Sequence, residues 1–310
     1  MVFDSGPVHR PFVEGPFRLS MGLLPLDLAE WVEIDGTHDS QMAEKRRLMA
    51  TRRDEVFGAL PEALPGAEEL LRLLLANVLR HHGDRFEAEG DGVRVRATGE
   101  VVAPGESPWH PLERAGRLVQ EDWCLLAPDA ADGTKAGEIV GHRLVAASLC
   151  FPSRWRLHDK LGRAMGAIHG PVPAYDAKLW RPVDRFLSLL KAEKPVRRAN
   201  WGLHDDPALF QPAAGHGPGE GAGIGVADAG ARLWLRVERQ TLVRLPETGL
   251  VAFGIRTHVH RLDAAIRGAE DAAAMALAIR TMPPETLAYK GMAAFADAVL
   301  GWLDACAGVA

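Results

Sequence analysis

The chain is short of cysteine and of long apolar runs, and these shortages exclude several classes of protein. Its three cysteines, Cys124, Cys150 and Cys306, form no Cys-x-x-Cys pair and no His/Cys cluster at zinc spacing. We therefore expect neither a disulfide framework nor an iron–sulfur cluster held by this chain alone, since such a cluster usually needs four cysteine ligands. No apolar run approaches the roughly 20 residues of a membrane span. The first residues also lack the basic start and apolar stretch of a secretory signal, so we expect a cytoplasmic protein.

The chain also lacks a basic domain and the common nucleotide-binding and hydrolase motifs. The formal net charge is -5, so a nucleic-acid partner is not expected. There is no Gly-x-Ser-x-Gly elbow, kinase signature or Rossmann glycine pattern after a strand. The glycines of residues 215–230 have no lysine at P-loop spacing and predict a loop instead. What remains is an ordinary globular composition, with 47% hydrophobic residues in a chain of 310.

Periodicity predicts an α+β fold in a single domain spanning residues 1–310, with helical extensions at 1–90 and 265–310. Residues 1–40 are rich in proline and glycine and predict irregular wrapping. Helical spacing predicts helices at 41–57, 67–82, 153–169, 175–191, 271–282 and 284–306. Alternation bounded by turn residues predicts extended segments at 93–96, 118–126, 142–151, 233–245 and 251–259. The last two flank a turn at 246–249 and predict a long antiparallel hairpin with one apolar and one polar face.

His169 is the most informative histidine. Leu161, Met165 and His169 follow at i+4 steps in the predicted helix 153–169, for which Ser153 is the N-cap, and Gly170 ends that helix. The ring should therefore face the interior, either as a core histidine bonded to a backbone carbonyl or as the axial ligand of a haem iron. His158, on nearly the same face, would lie about 16 Å away, so both cannot bind one iron.

The hairpin carries a second polar cluster. Strand alternation sends Arg236, Glu238 and Gln240 to one face. Arg239 goes to the other face with Leu235 and Val237, which we expect to be buried. A buried arginine needs an anion, which is a structural carboxylate in one interpretation and a haem propionate or an oxygen species in the other.

Two further groups have two interpretations each. His258 and His260 lie on one side of a strand at a spacing that can bind a metal, but no third ligand is evident, and a polar outer face is the preferred interpretation. Arg198 and Trp201 either cap the edge of a cofactor or pin a loop to the domain.

Several separated motifs resemble the haem-dependent oxidative N-demethylase family. They are VQED at 119–122, FPSRW at 151–155 with Lys160 and Gly162, IHGPVP at 168–173, RANW at 198–201, LRVERQTL at 235–242 and FGIRT at 253–257. The resemblance extends from about Phe17 to about Leu303. It is specific to the family and does not specify one substrate.

The resemblance implies a PAS-like antiparallel sheet that holds haem b against a helix, wrapped by the N- and C-terminal helices. The iron ligand then corresponds to His169, and the absence of a Cys-x-x-Cys-His site implies noncovalent haem. Residues expected to bind the cofactor are His169, Leu161, Met165, Arg198 and Trp201. Unranked candidates for the distal pocket are Glu238, Arg239, Gln240 and Arg256.

The implied activity is the oxygen-dependent oxidation of a small secondary amine such as dimethylamine to methylamine and formaldehyde. The chain has no flavin or NADPH motif, so electrons are expected from a separate subunit carrying flavin and an iron–sulfur centre. A non-catalytic haem-binding PAS protein, such as a gas sensor, is the alternative.

Overall fold

A large antiparallel sheet organises the protein. The computed structural model describes residues 8–129, 141–212, 221 and 223–309. The strands in this part of the chain are β1 (Leu24–Pro25), β2 (Phe57–Ala59), β3 (Phe86–Glu89), β4 (Gly92–Val95), β5 (Val101–Val102), β6 (Asp122–Asp129), β7 (Gly141–Ser148), β8 (Val196–His204), β9 (Trp234–Arg244) and β10 (Val251–Arg261). Seven of them form one sheet in the order β1-β8-β9-β10-β6-β7-β2, and β3-β4-β5 form a small second sheet.

Helices cover both faces of the large sheet. They are α1 (His38–Thr51), α2 (Arg53–Val56), α3 (Leu64–His81), α4 (Pro111–Leu118), α5 (Met165–His169), α6 (Tyr175–Lys178), α7 (Trp180–Leu189), α8 (Ala229–Arg232), α9 (Leu262–Ala265), α10 (Ala269–Arg280), α11 (Pro284–Tyr289) and α12 (Ala296–Ala307). In the described part of the chain, none of these helices is long and apolar enough to cross a membrane.

Alternation along β9 divides the sheet into two faces. Leu235 and Val237 pack against α10 and α12, and Val243 packs in the core formed with α3 and α4. We call this side the helix face. Glu238, Gln240 and Leu242 point to the opposite side. There Leu242 joins a cluster formed with residues of the segment between β7 and β8. We call this side the cleft face.

The α+β class and the long hairpin are confirmed, but the expected division into one apolar and one polar face is wrong. The register places Arg256 opposite Arg239, and His258 opposite Val237. The helix face of β9 is therefore continuous with the Arg256 and His258 side of β10, and each face mixes apolar and polar groups. Both faces are covered, so these polar groups are buried, Arg256 completely.

The helix expected at 153–169 is wrong. Only Leu157–Asp159, a 3-10 turn, and the five residues of α5 are helical there. Tertiary contacts replace the helix: Ser153 donates to Glu238, and the Gly162 amide donates to the Leu144 carbonyl. Gly162 also takes a positive φ of 78°, which a helix does not permit. Ser153 is therefore not an N-cap.

The other predicted elements hold with changed boundaries. The helix expected at 41–57 breaks between α1 and α2, and the segment expected at 175–191 divides into α6 and α7. The segment expected at 284–306 divides into α11 and α12 with a 3-10 turn between them. Helix α4 was not predicted, and β6 begins only at Asp122. The loop expected at 197–201 is wrong, since these residues belong to β8 and pair with β9. Part of the predicted loop at 215–230 lies outside the described residues, and its end forms α8.

Candidate functional site

Helices α5–α7 cover the cleft face of the sheet, and we call the layer of side chains between them the cleft. Large apolar side chains line it from both layers, and several of them are only partly buried. They are Trp155, Leu161, Met165, Ile168, Val183, Phe186, Val196 and Phe253. Their partial exposure shows that solvent reaches parts of this layer.

His169 ends α5 at the edge of this cleft. Its Nδ1 lies 2.9 Å from the Met165 carbonyl oxygen, and its ring stacks on Tyr175 at a centroid distance of 4.8 Å. Burial lowers the pKa of His169 to about 4, so the ring is neutral at pH 7. With the proton on Nδ1 donated to the carbonyl, Nε2 carries the lone pair, and no described residue forms a hydrogen bond with it.

This geometry suits an axial metal ligand. Metal-binding histidines commonly donate their second ring N–H to a carbonyl or carboxylate, which fixes the tautomer and the ring orientation. The hydrogen bond from Nδ1 to a backbone carbonyl and metal binding through Nε2 are therefore compatible in the same histidine. Leu161 and Met165 lie in the same cluster as expected, although a turn rather than a long helix brings them there.

Arg198 is a partly buried cation on the cleft face. It lies on β8 opposite Gln240. Burial lowers its pKa, while the charges of Glu238 and Tyr175 act in the opposite direction. Its Nε is buried without a hydrogen-bond partner among the described residues. A guanidinium of this kind is suited to an additional anion, such as a carboxylate from a cofactor.

Glu238 is the anionic member of the same cluster. Ser153 donates to its Oε1 at 2.5 Å and Gln240 donates to its Oε2 at 2.8 Å. Arg236 in turn donates to the Ser153 hydroxyl at 2.6 Å. These bonds fix the carboxylate on the cleft face.

Two lysines join this cluster, and their function was not predicted. Lys160 lies over the ring of Trp155 at 4.2 Å, and burial lowers its pKa against the opposing charge of Glu238. Lys290 follows α11 and donates to the Asn200 side-chain oxygen at 3.1 Å. Burial lowers the pKa of Lys290 to about 8. No local pattern marks either lysine, since only the tertiary fold brings residues 160, 238 and 290 together.

The structure separates the four strand candidates for the distal pocket. Glu238 and Gln240 face the cleft, but Arg239 and Arg256 lie on the helix face. Arg256 donates to Asp35 at 2.6 Å and to Gln41 at 2.8 Å. The Nε of Arg239 lies 3.4 Å from Glu33 Oε2. The anions that face Arg256 and Arg239 are thus protein carboxylates, Asp35 and Glu33. This agrees with the first interpretation of a buried arginine on this strand, a structural carboxylate partner.

Trp201 also lies away from the cleft. It is opposite Val237 on the helix face, and its ring meets Phe12 edge-on at a centroid distance of 6.0 Å. Of the RANW motif, it is therefore Arg198 that the structure brings to the same cleft as His169.

The cleft thus combines an uncommitted imidazole nitrogen, apolar walls and a cluster of cations around one fixed carboxylate. This donor set fits a flat apolar cofactor that has one metal to coordinate and acidic substituents to neutralise. A model of the family described as haem-dependent oxidative N-demethylase, alpha subunit-like, matches residues 22–300. This chain belongs to the haem-dependent oxidative N-demethylase alpha-subunit-like family.

Proposed function

We propose that the protein binds haem b noncovalently in the cleft, with Nε2 of His169 as the axial ligand. The observation that carries the proposal is the Nδ1 bond to the Met165 carbonyl, which leaves a neutral imidazole with its lone pair uncommitted. Arg198 would pair with a propionate, and Leu161 and Met165 would contact the porphyrin. This agrees with the haem dependence named for the family.

The topology supports a PAS-like domain. The five central strands lie in the order β7-β6-β10-β9-β8. Numbered by their position in the chain, this is the order 2-1-5-4-3 of a PAS sheet, and α5–α7 occupy the connection between the second and third of these strands, where a PAS domain binds its ligand. The N-terminal helices and α10–α12 then form additions that cover the opposite face.

Haem binding can be tested by reconstitution. Purified protein mixed with haemin should develop a Soret band, and His169→Ala should lose the band or shift it to that of a haem without a histidine ligand. His158→Ala is the matched control, since His158 is exposed and precedes α5. A protein that takes up no haemin, or a His169→Ala variant with an unchanged spectrum, would contradict the assignment.

We further propose that the reaction is oxidative demethylation of a small secondary amine such as dimethylamine. Dimethylamine, dioxygen, two electrons and two protons yield methylamine, formaldehyde and water. Haem supplies the oxygen chemistry when bound. The chain's own residues would hold the amine, and Glu238 is suited to this because Ser153 and Gln240 fix its carboxylate on the cleft face. Lys160 and Lys290, whose pKa values burial lowers, are candidates to exchange protons with the cleft.

Electrons would come from a separate flavin and iron–sulfur reductase subunit, and the charge distribution around the cleft suits such a partner. Residues 154–198 contain eleven Lys and Arg against four Asp and Glu, in a chain whose net charge is -5. Seven of these cations are exposed, namely Arg156, Arg163, Lys178, Arg181, Arg185, Lys191 and Lys194. We call them the basic surface. A surface of one sign steers an oppositely charged partner, so the reductase would present acidic groups.

Turnover separates the enzyme from the sensor. The haem-loaded protein, supplied with dimethylamine, oxygen and an artificial electron donor, should release formaldehyde in proportion to the methylamine formed. The fixed carboxylate of Glu238 and the lysines Lys160 and Lys290 favour amine oxidation over gas sensing, because a gas sensor needs no site for an amine. Reversible gas binding without formaldehyde, under conditions in which the haem is reduced, would favour the sensor.

A further inference from the structure

Three side chains from distant parts of the sequence meet on the helix face of the sheet. His9 precedes the first helical turn, Glu33 lies before α1, and His258 lies on β10. His9 Nε2 is 2.8 Å from Glu33 Oε1, and His258 Nε2 is 3.5 Å from Glu33 Oε2. One ligand atom from each residue lies within 4.8 Å of the others. We call these residues the His9–Glu33–His258 cluster.

Two atoms of the cluster are buried without being satisfied. His258 is 3% exposed, and its Nε2 has no hydrogen-bond partner among the described residues. The same holds for Oε2 of Glu33. A buried polar atom without a hydrogen bond destabilises the fold, so a group that binds both atoms would stabilise it.

From this geometry we propose that the His9–Glu33–His258 cluster binds one divalent first-row transition metal ion, with Zn²⁺ or Fe²⁺ as the chemically best suited. Two imidazoles and one carboxylate are a common donor set for these ions, and they leave coordination positions for water. Zinc–ligand bonds of about 2.0–2.1 Å in a tetrahedral site place the donors about 3.4 Å apart. The two histidine nitrogens lie 2.8 and 3.5 Å from the two oxygens of the Glu33 carboxylate, on either side of this spacing.

A second layer of residues supports the same donor set. Asp35 Oδ2 lies 3.7 Å from Nδ1 of His258, on the side away from Glu33. Metal-binding histidines commonly have a carboxylate on this side of the ring, next to the nitrogen that does not bind the metal.

Two arginines oppose the metal. Arg239 lies 3.4 Å from Glu33 Oε2, and Arg256 is paired with Asp35. Their charges balance those of Glu33 and Asp35, so the ion would bring an uncompensated positive charge. The site should therefore be weaker than a structural zinc site, and Arg239→Met should tighten it. If the cluster is only an ion-pair network, Arg239→Met should change the stability of the fold and produce no Zn²⁺ affinity.

The test is competition for Zn²⁺ between the haem-loaded, tag-free protein and a chromophoric chelator. One Zn²⁺ should bind per chain, and His9→Ala and Glu33→Gln should each weaken binding about tenfold or more. His81→Ala is the matched control, since His81 is exposed at the end of α3. Because His9 is only partly buried, His9→Ala is expected to fold even if His258→Ala does not.

Two outcomes would overturn the proposal. One is no Zn²⁺ uptake beyond that of the His9→Ala variant, and the other is uptake that Glu33→Gln leaves unchanged. The Soret band, read in the same samples, reports the cleft on the opposite face of the sheet. Loss of haem binding with retained Zn²⁺ binding would thus reject the proposed function alone, and the reverse result would reject the metal site alone.

Discussion

Replacing Arg256 by leucine should destabilise the fold and leave the cleft intact. Arg256 is fully buried on the helix face, where it donates to Asp35 and Gln41. Leucine fills part of the space but leaves the Asp35 carboxylate, itself 4% exposed, without its cation. Removing one partner of a buried ion pair costs about 3–5 kcal/mol, a large share of the roughly 5–15 kcal/mol by which proteins are stable.

The expected shift in unfolding temperature follows from chain length. At about 2.1 cal/mol/K per residue, the 310 residues give an unfolding entropy of about 0.65 kcal/mol/K. A loss of about 4 kcal/mol then lowers the unfolding midpoint by about 6 °C. Calorimetry or circular dichroism of the haem-free protein measures this shift, and a haemin titration of the folded variant measures the cleft.

A double variant makes this prediction sharper. In Arg256→Leu/Asp35→Asn the unpaired carboxylate is gone, so part of the lost stability should return, and the coupling between the two changes should be clearly non-additive. The placement of Arg256 as a structural residue would be refuted if Arg256→Leu unfolded at the wild-type temperature and bound haemin or turned over the amine less well.

Three further predictions concern the cleft and its surroundings. Arg198→Leu should weaken haemin binding with little change in unfolding temperature, because the guanidinium has an unsatisfied Nε before the cofactor arrives; a stability loss with unchanged haemin affinity would contradict this. Glu238→Gln should reduce formaldehyde formation while the Soret band stays unchanged, and equal activity would exclude Glu238 from amine binding. His142 is 1% exposed, and burial lowers its pKa to about 4, so the unfolded chain takes up a proton between pH 6.5 and 4 that the folded protein does not. Stability should therefore fall on acidification through this range, by up to about 1.4 kcal/mol per pH unit from this group, and His142→Leu should show a shallower slope in denaturant titrations.

The hairpin was the most predictable part of the fold. Alternation along 233–245 and 251–259 and the turn at 246–249 locate β9 and β10 to within two residues at each end. Alternation also separates Glu238 from Arg239 correctly. It cannot tell which face of β9 continues into which face of β10, because that depends on the register across the turn. The sequence therefore predicts all four residues, unranked, for the distal pocket, although Arg239 and Arg256 lie opposite each other on the helix face.

The cleft was less predictable because it depends on contacts between distant segments. The apolar spacing at Leu157, Leu161 and Met165 is helical, yet β7 binds this segment through the bond from the Gly162 amide to the Leu144 carbonyl. Tertiary hydrogen bonding here overrides local periodicity. The position of His169 at the end of a helix, followed by Gly170, was nevertheless correct, since the turn residues that follow it act locally.

The alternation of β9 has a consequence for how this family can diverge. Neighbouring positions along the strand lie on different faces of the sheet. Residues 236, 238 and 240 lie on the cleft face, and residues 235, 237 and 239 lie on the helix face. Point substitutions can therefore alter substrate preference at one set while the other is retained. A one-residue insertion or deletion in β9 would exchange the two sets and place Arg239 where Glu238 now lies. Members of this family should therefore differ by substitutions within β9, and insertions and deletions should be confined to the loops.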